Sequence, residues 1–168
     1  MRNFSLFRYS LFCLLLLLIV PARNSAQAQS AEVVDRVTTE VTEHMGLYYR
    51  LFSERNMEGL PDQVFSIPWM TFGNRGINVL STRDEALVSW QGSLIGLLQN
   101  GWDRSEYTVE QVCVLNEASA IVSGYNTRYA KDGSEMSVGS VVYILARGES
   151  GWQIVSYTSV ERDKSVAC

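Results

Sequence analysis

The sequence predicts an α+β domain in which helices pack on one face of a sheet. Two observations carry this: two amphipathic helical segments lie early in the 168-residue chain, and everything after Gly101 is strand-like and cut into four runs by turn signals. A minor strand pair falls between the helices, so the order is helices first and a long antiparallel meander last.

Over residues 31–54 the apolar positions Val34, Val37, Val41, Met45, Tyr48 and Phe52 recur at spacings of three or four, one face of a helix. His44 and Tyr48, four apart, share a side of it, at or beside the buried stripe. Residues 56–59 break the pattern, and a short helical turn follows over 60–64. Pro68 interrupts the next strand, because a residue without an N–H is confined to an edge or a bulge. Gly73 and Gly76 frame a turn before a short strand over 77–80. Thr82 and Glu85 form a capping box, followed by Leu87, Trp90, Leu94 and Leu97 at helical spacing, and Gly101 supplies the stop. The strands are expected over 107–115, 119–130, 136–147 and 152–160, joined by turns at 116–117, 131–133 and 148–151.

The long strands carry apolar side chains on both sides of their alternation: Val138, Val142 and Ile144 on one, Val141, Tyr143 and Leu145 on the other. A sheet with one wet face alternates more cleanly. Helices and a pocket covering one face, and a second subunit the other, account for this, so a homodimer through the sheet is expected.

The first 28 residues combine Arg2 and Arg8, an apolar run over 11–20, Pro21 and the small-x-small pattern Ala26-Gln27-Ala28, which reads as a secretory signal peptide. The run is well short of the roughly 20 residues that cross a bilayer, and no membrane association is expected after cleavage. Removing residues 1–28 from 168 leaves 140, the length of a single domain over 29–168. It also removes three arginines and no acid, so the formal net charge moves from −4 to −7, which argues against nucleic acid as a partner. The expected location is periplasmic or secreted.

Cys113 and Cys168 remain in the exported chain. An oxidising compartment permits their pairing; the plainer expectation is a buried hydrophobe and a frayed tail. With no CxxC and one histidine, no zinc or other catalytic metal is expected. No phosphate loop, GxGxxG or GxSxG is present, so no cofactor is expected.

The stretches YYRLFSERNMEGL, STRDEALVSW, TRYAKDGSEM and GWQIVSY together resemble the nuclear transport factor 2-like superfamily, in particular its SnoaL-like and ketosteroid isomerase-like members. The resemblance runs from about Val33 to Val160. It implies a cone-shaped, curved antiparallel sheet wrapped around three helices, with a pocket between them, frequently in a dimer. Enzymes of this kind place a carboxylate on the strand after the second helix, yet FSIPWMT contains no Asp or Glu.

His44 is the best remaining proton carrier, since imidazole titrates near neutrality, with a helix-surface histidine as the alternative. Tyr48 resembles the position from which ketosteroid isomerase-like proteins present a phenol to a substrate oxygen; a core aromatic is the alternative. Trp69 and Trp90 are expected to line an aromatic cavity. Arg128 and Tyr129 point to opposite sheet faces, so only one can see the pocket. An inward Arg128 suits an anionic ligand, and an outward one a surface pair with Glu135.

The sequence thus leads to an exported domain that binds a small, mostly apolar molecule. A cofactor-independent lyase, isomerase or cyclase using His44 and Tyr48 is the rival reading, and an envelope protein-interaction module a third.

Overall fold

The helical periodicity of the first segment becomes helix α1, Ala31–Ser53, capped by the Ser30 side chain, which accepts from the Val33 N–H. Its inner face buries Val37, Val41, Met45, Tyr49 and Phe52. The computed structural model describes residues 30–74, 76–162, 164, 166 and 168, so the segment 1–28 expected to be a signal peptide lies outside the described residues. Helix α2, Gly59–Gln63, leads into the strand pair β1, Phe65–Gly73, and β2, Gly76–Leu80. Helix α3, Arg83–Gln99, starts at the Thr82–Glu85 capping box and is followed by Gly101 at φ +83°, a conformation that suits a residue without Cβ. The meander is β3, Trp102–Asn116; β4, Ser119–Ala130; β5, Glu135–Gly148; and β6, Gly151–Val160.

These strands form one curved, unclosed six-stranded sheet in the order β2-β1-β6-β5-β4-β3. The meander pairs antiparallel throughout, whereas β1 runs parallel to β6. Pro68 explains an irregularity in that pairing: Phe65 lies opposite Ile154, the register then jumps, and Met70 resumes opposite Ser156. Of the two positions open to a strand proline, Pro68 takes the bulge, since β2 covers the outer edge of β1.

Alternation sends Ala120, Val122, Val141, Tyr143 and Leu145 inward against the helices, where they join the core. The opposite positions, among them Cys113, Ile121 and Ile144, lie in register across the outer face. There the expectation of a frayed tail gives way to a covalent one, because Cys113 is disulfide-bonded to Cys168. Strand β6 ends with Val160 opposite Ser140 of β5, whereas Cys168 is fastened to β3, two strands beyond β5 in the sheet order. Val142, Ser123 and Ser156 on this outer face are already buried within one chain.

One glycine is dictated by close approach. A Cβ at Gly124 of β4 would run into the Thr108 carbonyl oxygen of β3 and come within 3.1 Å of the Tyr107 ring. Both obstacles are parts of a paired strand, and a backbone carbonyl cannot rotate away. Gly124→Ala is expected to cost about 3 kcal/mol or more, read as a lower urea midpoint at unchanged slope; an unaltered midpoint would show that β3 and β4 are not in this contact.

Candidate functional site

A cavity of about 620 Å³ opens between α1, α3, the β1–β2 pair and the wide end of the meander. This is the size of pockets that hold metabolite-sized molecules. Its aromatic wall comes from Tyr48, Phe52, Trp69, Phe72, Trp90 and Tyr157. The rings brace one another: Phe65 stacks on Trp90 at 4.8 Å, Trp69 lies 5.4 Å from both Trp90 and Tyr157, and Tyr48 meets Phe65 edge-on at 5.0 Å. Such pairs add about 0.5–1.5 kcal/mol each beyond area burial, which holds the wall in place around an open volume.

The rest of the lining is more polar than the tryptophan and phenylalanine content suggested. Asn78, Ser89, Ser93, Asn126 and Ser159 all reach the cavity. Sequence reasoning missed them, although two signals were there. Asn126 lies two residues before Arg128 on a strand, hence on the same face, and Ser89 and Ser93 share a helical side with Leu97. Among the described lining residues none is Asp, Glu or His, and Arg128 is the one charged side chain.

The structure separates the two residues expected to act together. Tyr48 lines the cavity; His44 does not. The His44 ring is buried, and its Nε2 lies 3.1 Å from the Val64 carbonyl oxygen. A carbonyl only accepts, so Nε2 carries the proton and donates. Burial is the main influence on the ring and lowers its pKa, while the Val64 bond opposes this. The same oxygen accepts from the Ile154 N–H at 2.7 Å, so His44 helps to tie α1 to the junction of β1 and β6. Its expected role as a base is therefore corrected to a structural one: it sits on the buried face of α1, one turn short of the cavity wall.

Tyr48 is half-buried, and its phenol is held well above the usual range, first by burial, then by the neighbouring Tyr157, with the Arg128 charge opposing. Tyr49 is raised in the same way, and its hydroxyl lies 2.7 Å from that of Tyr143. Both phenols are thus neutral hydrogen-bonding groups near pH 7. Neither is placed to take up a proton.

Of the adjacent pair on β4, Arg128 faces the cavity and Tyr129 faces out, beneath the Arg104 guanidinium at 4.3 Å. Tyr129 is thereby corrected from a ligand contact to an outer-face residue. Glu135, the surface partner considered for Arg128, lies opposite Tyr129 in the strand register, and Arg128 forms no ion pair among the described residues. Trp69 and Trp90 both line the cavity, as expected. No group of three or more His, Cys, Asp or Glu side chains that could hold a metal comes together among the described residues.

Residues 39–162 match the family described as NTF2-like protein (DUF6841). The chain belongs to this family. Solved structures share the NTF2-like fold at low identity. An NTF-2 like protein of unknown function from Shewanella oneidensis is 14% identical, with a TM-score of 0.59, and the match covers 74% of this chain and 98% of that one. Aln2 from a Streptomyces species is 15% identical at a TM-score of 0.62, covering 76% and 92%. An ntf2-like protein with a cystatin-like fold from Novosphingobium aromaticivorans is 14% identical at 0.58, covering 83% and 94%. No curated protein matches the sequence.

The assignment of His44 in this NTF2-like chain has a pH signature. Its folded pKa lies below the unfolded value near 6.5, so the unfolded state binds more protons as pH falls through that value. Stability is full above it and declines below it, until the folded pKa is reached. His44→Gln, which can still donate to Val64, is expected to flatten the slope of unfolding free energy below about pH 6.5, and His44→Ala to cost roughly 1–3 kcal/mol. An unchanged slope in the Gln variant, measured by urea titration, would remove His44 from this role.

Proposed function

We propose that this NTF2-like chain is an exported, SnoaL-like binding protein that holds a small molecule with a sizeable apolar body in its cone pocket and does not transform it. The observation that carries this reading is the cavity itself: about 620 Å³ of braced aromatic wall with no carboxylate or imidazole among its described lining residues. Proton abstraction needs an acceptor within hydrogen-bond reach of the substrate. The phenols of Tyr48 and Tyr49 at the cavity are pushed away from titrating, and the histidine is committed to Val64. An enzyme resting on His44 and Tyr48 would need the two at one place.

A thermal-shift screen of the mature chain against flat amphipathic metabolites tests this. A ligand at 100 times its Kd adds about 2.7 kcal/mol of stability, which raises Tm by several degrees in a domain of this size. The expected result is such a rise for at least one chemical class, with the compound recovered unchanged. Recovery of a product whose formation is abolished by His44→Ala or Tyr48→Phe would replace binding with catalysis.

Export is supported by the composition of residues 1–28 and by the Cys113–Cys168 disulfide, a bond that persists in oxidising compartments. No described helix is long and apolar enough to cross a membrane. We also propose pairing of two copies through the outer sheet face, where Tyr125, Tyr129, Val138 and Ile144 remain partly open. A binding site for a different envelope protein on that face is the competing use of it. Native mass spectrometry of chain recovered after export is expected to give a dimer of 140-residue subunits, that is, 168 less residues 1–28. A monomer would sink the pairing, and retention of residues 1–28 would sink the export.

A further inference from the structure

We infer that the cavity selects an amphipathic monoanion, an aromatic or polycyclic carboxylic acid, with Arg128 receiving the carboxylate and the Trp69–Trp90 wall receiving the ring system. The inference rests on the binding reading above and adds the charge and shape of the guest.

Two observations point to it. First, Arg128 is a guanidinium with no ion pair and no hydrogen bond to a described residue, set beside the hydroxyl-bearing rings of Tyr48 and Tyr49, whose pKa values its charge opposes. A guanidinium is a permanent cation, and leaving one partly desolvated without a counter-charge is unfavourable. Surface arginines of this chain find acids readily: Arg83 pairs with Glu58 and Asp62, and Arg36 with Glu117. Arg128 is kept from them by its place on the inner face. Second, the chain is acidic, with a net charge of −4 and a pI near 5.0, yet the one charged group among the described lining residues is positive.

The planar fork of a guanidinium matches the two oxygens of a carboxylate. A phosphate monoester would bring close to two negative charges to a wall with one cation among its described residues, and a neutral guest would leave Arg128 as it is. The aromatic rings supply the flat, polarisable surface that an acid with a fused-ring body covers.

Isothermal titration calorimetry with naphthalene-2-carboxylate and naphthalene-2-carboxamide separates charge from shape, because the two differ only in the head group. The mature wild-type chain is expected to bind the carboxylate at least tenfold more tightly than the amide. Arg128→Gln is expected to erase that preference by bringing carboxylate affinity down to that of the amide, and Arg128→Lys, which keeps the charge and loses the fork, to retain an intermediate preference. Near-UV circular dichroism checks that each variant folds; should Arg128→Gln not fold, the wild-type ratio and the Lys variant decide. Equal binding of both probes, or a preference that survives in Arg128→Gln, overturns the anion inference and leaves the pocket reading standing. Silence from both probes at millimolar concentration overturns the two together.

Discussion

The parallel pairing of β1 with β6 is the constraint on which the rest of this molecule depends. It begins at the Val64 carbonyl oxygen, which accepts from the Ile154 N–H at 2.7 Å and from the His44 ring at 3.1 Å, so one acceptor joins α1, the start of β1 and the middle of β6. A meander of four antiparallel strands is by itself an open sheet. Adding β1, with β2 beyond it, brings Trp69, Thr71, Phe72 and Asn78 around to face α3 and closes a wall. The last stretch of the sheet is thus formed between residues about ninety positions apart, and the cavity exists only once they meet.

The interior that results is held open by stiffness. Trp69, Trp90, Phe65, Tyr48, Tyr143 and Tyr157 form a connected set of ring contacts between 4.8 and 6.1 Å. Rings of this size cannot fold into the space beside them without losing partners, so the core does not collapse into the pocket. Burial drives every strongly shifted group toward its neutral form: the phenols of Tyr48, Tyr49 and Tyr143 are raised and the imidazole of His44 is lowered. Among the described lining residues the one charged side chain is Arg128.

The periodic and punctuating features were legible in the sequence. The stripe on α1, the Thr82–Glu85 box, the stop at Gly101 and the three hairpin turns of the meander each follow from interactions within a few residues, and β4, β5 and β6 lie within one residue of their expected bounds, whereas β3 begins at Trp102, ahead of the expected start at Tyr107. The site was legible only in part. Trp69 and Trp90 reach the cavity, but alternation alone left two faces open for Arg128 and Tyr129, and helical spacing alone gave His44 and Tyr48 the same standing although only Tyr48 sees the void. The cysteines posed the same difficulty, since nothing near Cys113 in the chain signals that Cys168 bonds to it.

The sequence by itself determined which segments coil and which extend, where they stop, the family to which they belong, and the absence of an acid on the strand where related enzymes carry one. These are matters of local sterics, hydrogen bonding and side-chain chemistry, which neighbours in the chain settle among themselves. Only the tertiary structure decided that β1 pairs parallel with β6, that Arg128 turns inward to a wall whose described residues include no acid, and that His44 is spent on a backbone carbonyl. Each of those outcomes depends on which distant surface a side chain meets, a choice fixed when the sheet curves around its helices and the long-range contacts form.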